Sequence, residues 1–164
     1  MMKTMLLESA AQLPLPHPAL SSLLAQKSAV MAEALTRRME MHPDLETLIG
    51  PGNRGLMATN HINHFEYIST LVSLYDPASF VETVLWALRT YMSRGFAAGY
   101  WHAMLPEAQN TAKEHLQQDE YSRISPLYTW LCSHIADFVV ISGSTASFYE
   151  SLSSIQREKH GGAN

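Results

Sequence analysis

Cysteine is nearly absent: Cys132 stands alone in 164 residues. No internal disulfide can form and no thiolate cage for zinc can be assembled, so a reducing compartment, the cytoplasm, is the expected setting. Charge is scarce too. Only 16% of the residues are charged, with 11 Lys and Arg against 15 Asp and Glu for a net charge of -4. The nearest thing to a basic cluster is the pair Arg37 and Arg38, which is no stripe for tracking phosphates and speaks against nucleic acid as a partner. No window supplies the roughly eighteen apolar residues that a membrane span needs. At the N-terminus, Glu8 and the prolines at 14, 16 and 18 interrupt the apolar stretch before a signal-peptide core is complete. The chain is therefore expected away from the membrane.

Catalytic signatures are missing as well. There is no GxSxG elbow and no HExxH, and "GPGNRG" at 50–55 is not a Walker sequence and follows no strand. Cys132 and His134 are two apart on a helical segment and point to different sides, so they do not form an activated pair. No carboxylate stands at convincing spacing to partner a histidine base. A non-enzymatic protein is expected.

What the chain does have is apolar residues, 46% of the total. With so light a surface charge, that area must go into a core, a ligand pocket or a subunit interface. Residues 1–164 are read as one domain, which at this length buries about 70% of the surface its unfolded chain exposes. Residues 1–17 form an extension and 158–164 a frayed tail. Apolar helix faces left over after core formation point to a homodimer.

Breakers divide the chain into helix-length segments, and no pair of alternating runs suggests a hairpin. The class is all-α, with six or seven helices. After a short segment at 5–13, a long helix over 19–41 carries Leu20, Leu23, Leu24, Val30, Met31 and Leu35. A brief turn, "DLETLIG", follows, with Asp44 as its expected N-cap. The helix over 54–75 puts Met57, Phe65, Ile68, Leu71, Val72 and Tyr75 on one stripe together with His61 and His64. "DPAS" starts the next helix, 77–93, with proline at its first position, where an amide hydrogen is not needed. Helices over 100–116, with a bend or restart at Pro106, and 120–140, starting late because of Pro126, complete the core. A weaker helix is expected over 146–157.

Residues three apart on a helix share a face, so His61 and His64 could hold a metal, bond a ligand's polar groups or flank a flat molecule. A metal would need further ligands, for which His102 and His115 are available on paper. Equally, one ring could be a satisfied core imidazole and the other a neighbour at the stripe's edge. Trp86, Trp101 and Tyr128 could wall a flat conjugated ligand or simply pack. Arg89 and Arg94 could fork onto ligand carboxylates or lie solvated. Cys132 could tether a vinyl group or act as a small hydrophobe.

"HPDLETLIGPGNRG", "HINHFEYISTLV", "DPASFVETVLWAL" and "YMSRG" together resemble the globin-like sensor domains of bacteria. The likeness is to those that accompany cobalamin-binding domains in bilin-associated photoreceptors and, more distantly, to the haem-free globin domains of stress and sporulation regulators. It covers about 43–94, with weaker agreement through "SPLYTWL", and rests on core spacing plus His61, His64, Phe65, Tyr67, Phe80 and Trp86. What it implies is a globin-like helical sandwich whose cleft holds a tetrapyrrole, most readily a linear one such as biliverdin. Haem is the first substitute, and a fatty acid or no ligand the haem-free alternative. His61, His64, Phe65, Tyr67, Trp86, Arg89, Trp101, His102 and Tyr128 are the candidate binding residues, with no metal ligand apart from His102 if the guest is haem. The Asp-x-His-x-x-Gly cobalamin signature is missing, as are kinase and DNA-binding segments, so a sensor's output is expected to pass through a signalling partner.

Overall fold

The computed structural model describes residues 1–143; the helix expected over 146–157 and the tail beyond it lie outside the described residues. Seven helices and no strand are present among them. In order they are α1 (Met2–Ala10), α2 (Pro18–Glu40), α3 (Leu45–Ile49), α4 (Arg54–Ser73), α5 (Pro77–Ser93), α6 (Gly99–His115) and α7 (Gln118–Ser142).

Most of the expected starts hold. Asp76 caps α5 by accepting the Ser79 amide at 3.1 Å, with Pro77 in the first turn. Asp44 does occupy the N-cap position of α3, but its side chain makes no capping bond; its own amide donates to His42 Nδ1 instead. Pro126 does not delay α7, which begins at Gln118 with the Gln117 amide donating to Glu120 Oε1 at 2.7 Å. Nor does Pro106 restart α6, which runs unbroken through it. Each of these prolines forgoes one intrahelical bond inside a helix that packing holds on other faces.

The core assembles from the expected stripes. α2 and α4 pack antiparallel along their length. Ser21, early in α2, donates to the Ser69 carbonyl late in α4 at 2.7 Å, while Thr36, late in α2, meets His61. α6 lies against both α2 and α7, and Arg38 of α2 ties down α6 through Glu107 and Glu114. α5 packs on α7, and α1 lies across both. The segment expected as an extension is thus part of the body: Leu6 and Ala10 are fully buried, Trp130 donates to Ser9 Oγ at 2.7 Å, and Tyr75 donates to the Ala10 carbonyl at 2.6 Å. Val30, expected on the buried stripe, is 47% exposed.

α7 is long and apolar enough to cross a membrane by length and composition. In this fold one face of it is buried, with Ile124, Leu127, Tyr128, Leu131, Ile135 and Phe138 in the core, while Val140 is exposed.

One feature matters most for the site. α4 and α5 follow each other in the chain yet make no extensive backbone packing. The turn before α4 is bonded to the turn after α5. Ala97 N donates to Leu48 O at 2.8 Å, and Asn53 Nδ2 donates to both Ile49 O and Arg94 O at 2.8 and 2.9 Å. Gly50, at φ +80°, comes so close that a Cβ there would lie 2.9 Å from the Gly95 carbonyl oxygen.

Candidate functional site

Between α4 and α5, floored by α6 and α7, is an apolar cavity of about 370 Å³. Its size lies near the lower end of small-molecule sites. The α4 wall is Asn60, Asn63, His64, Tyr67 and Ile68, a face repeating every three to four residues. The α5 wall is built the same way from Phe80, Val84, Ala87, Leu88 and Tyr91, with Thr83 and Trp86 toward the outside. Trp101, Met104 and Leu105 of α6, with Leu131 and Ile135 of α7, close the inner end. Trp86, 62% exposed, and the exposed Asn63 mark the mouth. Among the described residues, no Lys, Arg, Asp or Glu lines it.

The two histidines of the motif have different fates. His61 is fully buried and is not part of the cavity wall. Its Nδ1 lies 2.7 Å from Thr36 Oγ1 and its Nε2 2.9 Å from Tyr100 OH, and Tyr100 in turn meets the Asn60 side-chain amide at 2.8 Å. Burial, and secondarily the neighbouring His64, hold its pKa down at about 3, so the ring is a neutral core imidazole with both nitrogens used. The expectation that His61 lines the cleft is therefore corrected.

His64 does line the cavity. Its Nε2 lies 2.8 Å from Tyr128 OH, and Phe65 stands edge-on to its ring at 4.9 Å. Its ring is half-buried in the cavity wall, and desolvation lowers its pKa to about 4. Burial likewise drives the Tyr128 phenol far up, and it raises the Tyr67 phenol against a partial offset from a hydrogen bond to Thr83.

Of the other expected residues, Tyr67, Trp86 and Trp101 are in the cavity wall. Phe65 and Tyr128 sit one layer behind it, in the core. Arg89 and His102 are outside it: Arg89 follows Leu88 and is half-buried, while His102 follows Trp101 and is exposed. One residue turns a helix by about 100°, so the neighbour of an inward residue points elsewhere. His102 therefore cannot serve a guest in this cavity. Cys132 is also off the wall, with its thiol pushed up by burial. Among the described residues no group of three or more His, Cys, Asp and Glu is placed to hold a metal.

The chain matches no family model, no curated protein and no solved structure.

Three polar lining residues, Asn60, Asn63 and Thr83, were not anticipated. Their signal in the sequence is faint. Asn60 and Asn63 flank His61 and His64 at helical spacing, and Thr83 stands one turn from Phe80 and Ala87. Tyr100, the partner of His61, falls on a buried series with Met104, Ala108 and Thr111.

Proposed function

We propose that this chain is a non-enzymatic sensor or carrier of globin-like architecture whose α4–α5 cleft takes an apolar, flat ligand, a linear tetrapyrrole such as biliverdin being the first choice. The observation that carries this reading is the cavity itself: an apolar space walled by Tyr67, Phe80, Trp86, Tyr91 and Trp101, with a single imidazole, His64, in its wall. Aromatic faces stack on conjugated rings and restrict their twisting. At this volume, part of a tetrapyrrole is enclosed and the remainder extends through the mouth past Trp86 and Asn63.

Haem fits less well. No histidine stands on the α5 wall, His102 is turned outward, and the Nε2 of His64 is taken by Tyr128. The imidazole nitrogen left in the wall for an iron among the described residues is His64 Nδ1. Catalysis is equally unsupported, because His64 has no carboxylate beside it in the wall and His61 has no nitrogen to spare.

A second reading is a haem-free module that binds an acyl chain, favoured by the modest cavity volume. In either case exposed apolar side chains such as Ile62, Trp86 and Val140 are available for a homodimer or a signalling partner.

The test mixes the purified chain with biliverdin and, separately, with haemin, and records absorption spectra. The biliverdin band is expected to shift and sharpen, and haemin to give no spectrum of a histidine-ligated haem. Unchanged spectra with both would remove the tetrapyrrole reading, and mass spectrometry of the denatured protein as purified would show whether a lipid takes its place.

A further inference from the structure

His64 differs from the other helical histidines in how its ring nitrogens are used. His115 and His134 turn Nδ1 onto the carbonyl four residues back, Thr111 O and Trp130 O, each at 2.8 Å. His61 uses both nitrogens. His64 uses only Nε2, against Tyr128 OH, and its Nδ1 has no partner among the described residues.

Tyr128 decides where the proton sits. It is fully buried, and its hydroxyl has no other partner among the described residues. If His64 donated through Nε2, the phenolic hydrogen would be left buried without an acceptor, which is the costly arrangement. The phenol therefore donates to Nε2, and the neutral imidazole carries its own hydrogen on Nδ1. That makes the ring a hydrogen-bond donor in a wall with no cation among the described residues to offset a ligand's negative charge.

We propose that the cavity takes its ligand by a neutral carbonyl oxygen, of the lactam, ketone or amide kind, accepting from His64 Nδ1–H, and rejects a carboxylate at the same place. This rests on the reading of the cavity as a ligand site, and it orients the ligand. A linear tetrapyrrole would enter by a terminal lactam ring and leave its propionates at the mouth by Asn63.

Three probes with one apolar body test it: 2-acetylnaphthalene, 2-naphthoate and 2-ethylnaphthalene, titrated at pH 7 against the fluorescence of the cavity tryptophans. The ketone is expected to bind about five- to tenfold tighter than the hydrocarbon and at least about tenfold tighter than the carboxylate. The double variant His64→Phe, Tyr128→Phe removes both partners of the bond at once, and in it the ketone should lose its advantage over the hydrocarbon. Two measurements on the unaltered chain do not depend on that variant folding. Nitrogen-15 NMR should find the His64 hydrogen on Nδ1, and the infrared carbonyl stretch of bound, carbon-13-labelled ketone should shift to lower frequency. Equal binding of all three probes would leave the cavity a ligand site and overturn the carbonyl inference, as would preference for naphthoate or a hydrogen on Nε2. If none of the probes binds, both readings fall together.

Discussion

His64 of α4 and Tyr128 of α7 meet across the core, Nε2 to phenolic oxygen, at 2.8 Å. Three residues earlier on the same helix, His61 meets Tyr100 of α6 at 2.9 Å. The two pairs look alike, yet only the first borders the cavity, and that separates a cavity-facing imidazole from one enclosed in the core.

Tyr100→Phe tests the structural pair. It removes a buried hydroxyl that contacts both His61 and Asn60, at an expected cost of about 1–3 kcal/mol. Urea unfolding measures the loss. The visible spectrum of a biliverdin-treated sample should match that of the unaltered chain, because Tyr100 is not in the wall; a changed spectrum would place the His61 pair in the site.

Acid should destabilise the fold before its carboxylates titrate. His61 and His64 are held down at about 3 and about 4 in the folded chain, against an ordinary value of 6.5. Above pH 6.5 neither state binds these protons, so their neutral burial is then without penalty. As pH falls below 6.5 the unfolded chain takes up protons that the folded chain refuses, and stability declines by up to ~1.4 kcal/mol per pH unit for each ring. The depressed carboxyls of Asp76 and Glu114 act in the same direction only at lower pH. Urea midpoints between pH 7 and 4.5 should therefore fall steadily, and less steeply in the His64→Phe, Tyr128→Phe variant. A flat profile would mean that these rings are not buried neutral.

The clamp between the turns at 48–53 and 94–97 is tested by two glycines that share a positive φ and differ in their surroundings. Gly50 and Gly52 both have positive φ, but a Cβ at 50 meets the Gly95 carbonyl oxygen at 2.9 Å and one at 52 meets nothing within 4 Å. Gly52→Ala should cost about 1 kcal/mol from the left-handed backbone alone. Gly50→Ala should cost more, about 2–3 kcal/mol in all, because Gly50, at φ +80° and ψ 161°, lies where essentially only glycine goes and because backbone atoms must also move apart. Thermal unfolding of the two variants side by side would show it, and equal losses would mean that the turns are not in contact.

Much of this architecture was legible in the residues. "PLPHP", "HPD", "GPGN", "DPAS" and "RGFAAG" punctuate the chain where the helices end, because proline and glycine act locally. The division of labour between His61 and His64 was not. Three residues leave two side chains about 60° apart on a helix, and which one meets Thr36 and Tyr100 rather than the cavity depends on how α2 and α6 pack against α4. The same limit separates Trp101 from His102 and Leu88 from Arg89: in each pair the apolar partner takes the inward position and its neighbour does not. Asn60, Asn63 and Thr83 carry no periodic apolar signal, so they emerged only once α5 was seen standing off from α4.

The cleft between α4 and α5 as a ligand site is tested most directly by titrating biliverdin into the unaltered chain and into Ala87→Trp, which fills the cavity from its half-buried α5 wall. The expected result is a saturable, one-to-one shift of the long-wavelength band in the unaltered chain and none in the variant, with both chains equally folded by circular dichroism. No shift in the unaltered chain, or the same shift in both, would contradict it.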